Sequence, residues 1–312
     1  MRPAWSVILL TTLTGAGQGL FLAVFATDVL AAAGVAELPP ELVAAAVVVS
    51  LAFGAGGLAA SFFHLGHPER AWRSAAKWRT SWLAREVIAL PLFMASVAAY
   101  GLAHWLRAPH LALTLGALGA AACLTLFVCT GMVYACLRFL QEWHTPLTVV
   151  NYLVLGCASG LSAAAALAAW LASALARPYV LAALALTALA LATRAASLRR
   201  NAGLRQRSTL QTAIGVKHPR IAQTAQGAMG GSFNTREFFH GAGPGRLRTV
   251  KWGFIGAAFV APMLLFGAAV WTARVELAAA AFVIQYAGLL GERWYFFAEA
   301  RHPQNLYYQT IS

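Results

Sequence analysis

Apolar runs occupy about 6–33, 41–63, 82–104, 111–138, 148–172, 178–197, 252–273 and 276–297, with short polar stretches between most of them. Each run reaches or approaches the roughly 20 residues needed to cross about 30 Å of hydrocarbon. The pattern predicts an all-α integral membrane bundle of eight transmembrane helices. Gln18 and Asp28 interrupt the first run, which is too long for the apolar core of a signal peptide and reads as a retained helix. Between the last two runs only Arg274-Val-Glu276 intervenes, a tight hairpin. One sizeable connection remains, at about 198–250.

Composition agrees with that picture. Of 312 residues, 60% are hydrophobic and 11% charged, and the mean hydropathy is +0.66, far from the balance of a soluble domain. Lys and Arg outnumber Asp and Glu by 23 to 10. In a soluble protein that excess would suggest nucleic acid. Here the basic residues lie between apolar runs rather than along one amphipathic face, so the expected surroundings are membrane lipid, with no nucleic-acid partner. With the N-terminus inside, only Arg107, Arg177 and Arg274 of the 23 basic residues face outward. Basic residues collect on the cytoplasmic side of membrane proteins, so both termini are expected there, in a bacterial inner membrane. Cys123, Cys129, Cys136 and Cys157 all fall inside apolar runs without a C-x-x-C pair. They read as small buried hydrophobes, and no metal ligands are assigned.

Candidate chemistry concentrates in residues 64–86, where His64, Arg85 and Glu86 crowd beside Trp78 between two membrane-length runs. A basic loop ordinarily does no more than set topology. His64 and Glu86 ask for more, because each lies at the apolar end of a helix, where an ionisable group needs a partner, a proton or a ligand. A quinone needs hydrogen-bond donors for two oxygens, an apolar or aromatic slot and a proton route, and a His with a carboxylate meets the proton requirement most simply. Trp143-His144 and Asn151-Tyr152 add a second polar and aromatic group on the same side. An interfacial aromatic belt would also account for Trp143 and Tyr152. The quinone-site set is therefore His64, Glu86, Arg85, Trp78, His144 and Tyr152, and the expected cofactor is ubiquinone or menaquinone. Haem b is the competing cofactor, but none of the eight histidines sits near the centre of an apolar run, so no haem is assigned.

The 198–250 connection carries many arginines, two glycine-rich turns, Phe233, Phe238 and Phe239. It exceeds what a helix-to-helix link requires. A lipid-facing loop is the simpler account. Aromatic side chains among the charges favour a docking surface for a cytoplasmic partner, with Arg236, Phe238 and Arg246 as its anchors. A secondary transporter is the reading from another class, and it would need a midplane polar site or broken helices in matching halves.

The stretch His64-Leu-Gly-His-Pro-Glu-Arg-Ala-Trp72, with Glu86 opening the next helix, resembles the corresponding region of the dimethyl sulfoxide reductase membrane anchor family. In that family the His and Glu are associated with quinol binding, which the resemblance carries to His64 and Glu86. Gly291-Glu-Arg-Trp-Tyr-Phe-Phe-Ala-Glu-Ala-Arg-His-Pro-Gln-Asn-Leu-Tyr-Tyr308 and Ser232-Phe-Asn-Thr-Arg-Glu-Phe-Phe-His240 are more similar to the sulfite dehydrogenase branch. The resemblance implies a metal-free anchor that holds an iron–sulfur subunit and a molybdopterin catalytic subunit and exchanges electrons with quinone. Familiar dimethyl sulfoxide reductases carry their catalytic subunits outside, whereas the charge pattern here puts the His64 end inside. That favours cytoplasmic partners and sulfite oxidation over a quinol-oxidising reductase anchor.

Overall fold

The computed structural model describes residues 1–63, 65–222, 224 and 238–308. His64 and Arg236, together with Phe233 and most of the 232–240 segment, lie outside the described residues. Among those described, regular structure is entirely helical. The long helices are α1 Trp5–Ala32, α2 Pro40–Phe62, α3 Trp82–Trp105, α4 Pro109–Ala135, α5 Pro146–Leu171, α6 Ser173–Ala202, α8 Pro244–Thr272 and α9 Leu277–Glu299. Two five-residue helices, α7 Leu210–Ile214 and α10 Gln304–Tyr308, and a 3-10 helix at Pro68–Lys77 complete the elements.

Seven helices, α1 to α6 and α8, are long and apolar enough to cross a membrane. This is a multi-pass membrane protein. The remaining long helix, α9, spans 23 residues but carries Gln285, Glu292, Arg293 and Glu299, which lower its hydropathy. It packs along α5 and α8 with those residues buried or nearly so. Helix starts follow local rules: proline occupies the first turn of α2, α4, α5 and α8, where a missing N–H costs nothing. The Ser81 hydroxyl accepts from Ala84 N at the start of α3 (3.3 Å). The connection after α6 is shorter than the hydropathy suggests, because α6 runs on to Ala202 and α8 begins at Pro244.

Consecutive helices run antiparallel, so residues 63, 65–81, 136–145, 203–222, 238–243 and 300–308 gather at one end of the bundle, called here the loop end. Trp143 Nε1 donates to the Phe296 carbonyl (3.0 Å), tying the α4–α5 connection to α9. At the opposite end Asp28 accepts from Tyr100 (3.0 Å) and pairs with His104 (2.9 Å), and Thr27 meets Tyr179 (2.7 Å).

The central element is α1, enclosed by α2, α4, α5 and α9. Water drives no packing between helices in lipid, so close approach depends on small residues. Gly15, Gly17 and Gly19 of α1 face Gly156 and Gly160 of α5 on one side and Ser50 of α2 on the other. A side chain on Gly19 or Gly160 would run into the facing backbone. Polar residues add cross-links: Gln18 donates to the Cys123 carbonyl (2.9 Å), and Ser50 donates to the Gly17 carbonyl (3.0 Å). Gln285 of α9 accepts from Ser162 and donates to Thr187 (2.9 Å) and to the Ala258 carbonyl (3.3 Å). Ala258 lies in a π-helical turn at Gly256–Val260, a widened turn that leaves its carbonyl open to a side-chain donor.

Candidate functional site

Glu86 lies in the second turn of α3, at the loop end. Its side chain turns into the bundle, where Thr130 of α4 donates to its Oε1 at 2.6 Å. Arg85, its chain neighbour, turns the other way. That guanidinium donates to the Trp78 and Arg79 carbonyls (2.8 and 2.9 Å) and lies over the Trp82 ring (4.1 Å). One helix residue is about 100° of rotation, which sends the acid and the base to different surroundings. Glu86 and Arg85 therefore form no ion pair with each other.

Behind Glu86 is a small space of about 20 Å³, lined by Glu86, Thr130, Tyr152, Arg293, Thr14 and Gln18 among others. Thr14 Oγ1 is buried there without a partner within the protein. A space of this size, with several polar groups set in a largely apolar wall, suits one water molecule. It does not admit a quinone ring, so a ring beside Glu86 would have to take its outer, lipid-facing side. There α3 borders Trp78, Trp82 and Arg85, and Phe63 and Leu65, which flank His64 in the chain, are exposed.

Tyr152 of α5 shares the space with Glu86, and Arg293 of α9 lies over its ring, Cζ 3.7 Å from the centroid. Tyr152 and Trp143 are not members of a lipid-facing belt. Both are buried, in a cluster with Tyr134, Phe296 and Phe297 that closes the bundle at the loop end. His144 is separate, exposed, with Nδ1 on the Ala135 carbonyl at 2.6 Å. Trp78 is exposed beside the 3-10 helix. The structure thus brings Glu86 and Tyr152 together, sets Arg85 and Trp78 on the outer face, and leaves His144 apart.

The docking residues divide as well. Phe238 stacks on His302 (centroids 3.8 Å apart), and its carbonyl accepts from Asn305 (3.1 Å), so this aromatic is spent on its own chain. Arg246 is exposed and reaches over the Trp294 ring at 5.7 Å.

Sequence reasoning passed over Thr130, Arg194, Glu292 and Arg293. Arg194 counted as a loop-end charge, yet it is 3% exposed, with Nε 2.7 Å from Glu292 Oε1 and Nη2 3.8 Å from Glu299 Oε2. Arg293 Nη1 is 3.5 Å from Glu292 Oε2. Glu292 and Arg293 did carry a signal, since they are ionisable residues inside an apolar run. Removing one member of a buried pair leaves the other charge uncompensated, at about 3–5 kcal/mol. Glu292→Ala is therefore expected to sharply reduce the folded protein recoverable from membranes, measured by thermal aggregation after solubilisation. Unchanged melting would mean that Glu292 does not hold the two arginines.

Two comparisons with known proteins bear on this site. Residues 1–219 match the family described as DMSO reductase anchor subunit (DmsC). Over their full lengths, the chain is 53% identical to a sulfite dehydrogenase subunit of Allochromatium vinosum, with 100% of each covered.

Proposed function

Because the chain belongs to the DMSO reductase anchor subunit family, we propose that it is the membrane anchor of a molybdopterin and iron–sulfur oxidoreductase complex that passes electrons to quinone during sulfite oxidation. The observation that carries the quinone reading is the inward-turned Glu86, held by Thr130 and adjoining Tyr152 and Arg293 at the loop end of an otherwise apolar bundle. Sulfite is supported by the name and full-length similarity of the relative. In this reading all eight long helices span a bacterial inner membrane, α9 included because its charged residues face inward. The loop end, rich in arginine, faces the cytoplasm and the partners.

Quinone accepts two electrons and takes up two protons. The chain's own residues divide that work. Trp78, Trp82 and Arg85 shape the outer face of α3, and His64 is assigned as the donor to one quinone oxygen. Glu86 stands between that face and the water-sized space, with Thr130 holding its carboxyl oriented. Such a carboxyl can deliver a proton outward and be reprotonated from behind. Tyr152 and Arg293 keep the space polar, while the aromatic cluster excludes bulk water.

Electron transfer from the reduced complex to quinone and to an artificial dye, measured in the same membranes, tests the function. Sulfite should reduce both acceptors, and dye reduction without quinone reduction would overturn the quinone reading. The orientation is tested separately. A C-terminal tag should be labelled only after sealed cells are opened, and Arg246→Glu should release the soluble partners while the bundle stays in the membrane. Labelling from outside, or full retention of partners, would remove the cytoplasmic docking surface.

A further inference from the structure

Beyond the Glu86 space, the buried polar side chains continue toward the loop end. A second small space, of about 10 Å³ and so at the lower limit for a water, is lined by Glu142, Asn151, Arg194, Asn201, Glu292 and Arg293 among others. Arg293 lines both spaces. On its wall Asn151 donates to Ser197 (2.7 Å), and Asn201, also on the wall, reaches out of the space to donate to Glu299 (3.1 Å). Glu142 is buried too, yet Gln206 donates to its Oε1 at 3.0 Å. Gln206 is exposed and lines an open cleft of about 720 Å³ at the loop end, beside Gln141, Arg207 and His302. Three spaces therefore lie in series between solvent and Glu86, joined by Gln206–Glu142 and by Arg293.

Toward the opposite end the series stops. Between Gln18 and Asp28 on α1, a distance of roughly 15 Å along the helix, Leu20, Phe21 and Val24 are buried against Phe93, Tyr100 and Phe127. The Phe21 ring meets those of Phe93 and Tyr100 at 5.8 and 5.5 Å. The Asp28–His104–Tyr100 cluster is thereby separated from the Glu86 space by packed apolar side chains.

From these observations we infer that Glu142, Glu299 and Glu292, with a water in each small space, form a one-ended proton path from the loop-end surface to Glu86. The inference rests on the quinone reading above and adds the side from which its protons come. Per quinone reduced, two electrons arrive from the iron–sulfur partner. Two protons leave water at the loop-end cleft, pass through the carboxylates and bound water, and reach the quinone oxygens through Glu86, yielding quinol. No proton crosses the aromatic layer, so turnover moves none to the opposite face through this chain.

Several charged and titratable groups surround the path. Arg194 and Lys251 lie near Glu299, with Tyr295 and Glu142 beside it. The Met1 amino group lies near Glu142, and its own pKa falls to about 6 because burial outweighs the attraction of that carboxylate. Protons are scarcer in the cleft at high pH, so the loss of a relaying carboxylate is felt most there.

The test uses the intact complex, with sulfite as reductant and quinone or dye as acceptor, across pH 6 to 8. For Glu142→Gln and Glu299→Gln, quinone reduction should fall at least tenfold at pH 8 and far less at pH 6, with dye reduction unchanged. Azide or formate, small acids that carry protons into blocked paths, should restore the rate, and Glu142→Asp should retain most of it. Asp28→Asn should change nothing. A loss equal at all pH values and refractory to azide would make these carboxylates structural ion-pair members and overturn the path. Full quinone rates in both variants, with Glu86→Gln impaired, would place the path elsewhere while leaving the quinone reading intact. Full rates in Glu86→Gln as well would remove both. A loss in Asp28→Asn matching that in Glu142→Gln would refute one-endedness.

Discussion

Valine in place of Gly160 is expected to leave almost no folded protein in the membrane. Gly156 and Gly160, one turn apart on α5, press against α1, and a Cβ on Gly160 would fall on the backbone of Gly19 and Leu20. A flexible side chain could yield, but helix backbone cannot, so α1 and α5 would have to separate. Overpacking a core ordinarily costs about 1–3 kcal/mol, and with backbone as the obstacle this substitution belongs at or beyond the upper end. Separation would also pull apart the walls of the Glu86 space, since Thr14, Gly15, Gly156 and Ser159 line it at this crossing. Gly253→Ala and Gly267→Ala are the controls, because nothing lies within 4 Å of a Cβ at either position. The checks are yield in the membrane fraction and thermal aggregation after solubilisation. A Gly160→Val protein that accumulates and melts like the unmodified chain would contradict the α1–α5 contact.

Substitution of Glu86 by glutamine is expected to have the largest effect on activity. Gln keeps the size and can still accept from Thr130, so the bundle should assemble and dye reduction should persist. What it cannot do is take a proton from the inner space and give it up on the outer face. Positioned proton transfer is worth about 10²–10⁴ in rate, so quinone reduction should fall at least tenfold, about 1.4 kcal/mol of barrier, with little change in KM. Thr130→Ala removes a hydrogen bond to the carboxyl without removing the acid, and a smaller loss is expected. Stopped-flow reoxidation of the reduced complex by quinone separates the cases. If Glu86→Gln reoxidises at the unmodified rate, the proton is delivered elsewhere and Glu86 serves only to fasten α3 to α4.

Much of the architecture was legible in the chain. Length and apolarity mark all eight long helices, seven of them apolar enough to cross a membrane, because the bilayer imposes its thickness on any segment that crosses it, and prolines and Ser81 mark where several of them begin. The neighbourhood of Glu86 stood out for the same reason, as ionisable groups bordering an apolar run. What surrounds Glu86 was not legible. A helix that is apolar all round has no polar stripe to show which face turns inward, so adjacent residues such as Arg85 and Glu86 could not be assigned to opposite sides. The partners also come from far along the chain: Thr130 is 44 residues from Glu86, and Gln285 is 98 from Thr187. Composition and charge, summed over segments, determined that this is a helical membrane protein with a basic end. Only tertiary packing, set by where glycines let backbones touch, decided that Arg194, Glu292 and Arg293 leave the basic surface and join Glu86 inside, since a buried charge takes its partner from whichever helix the close contacts bring alongside.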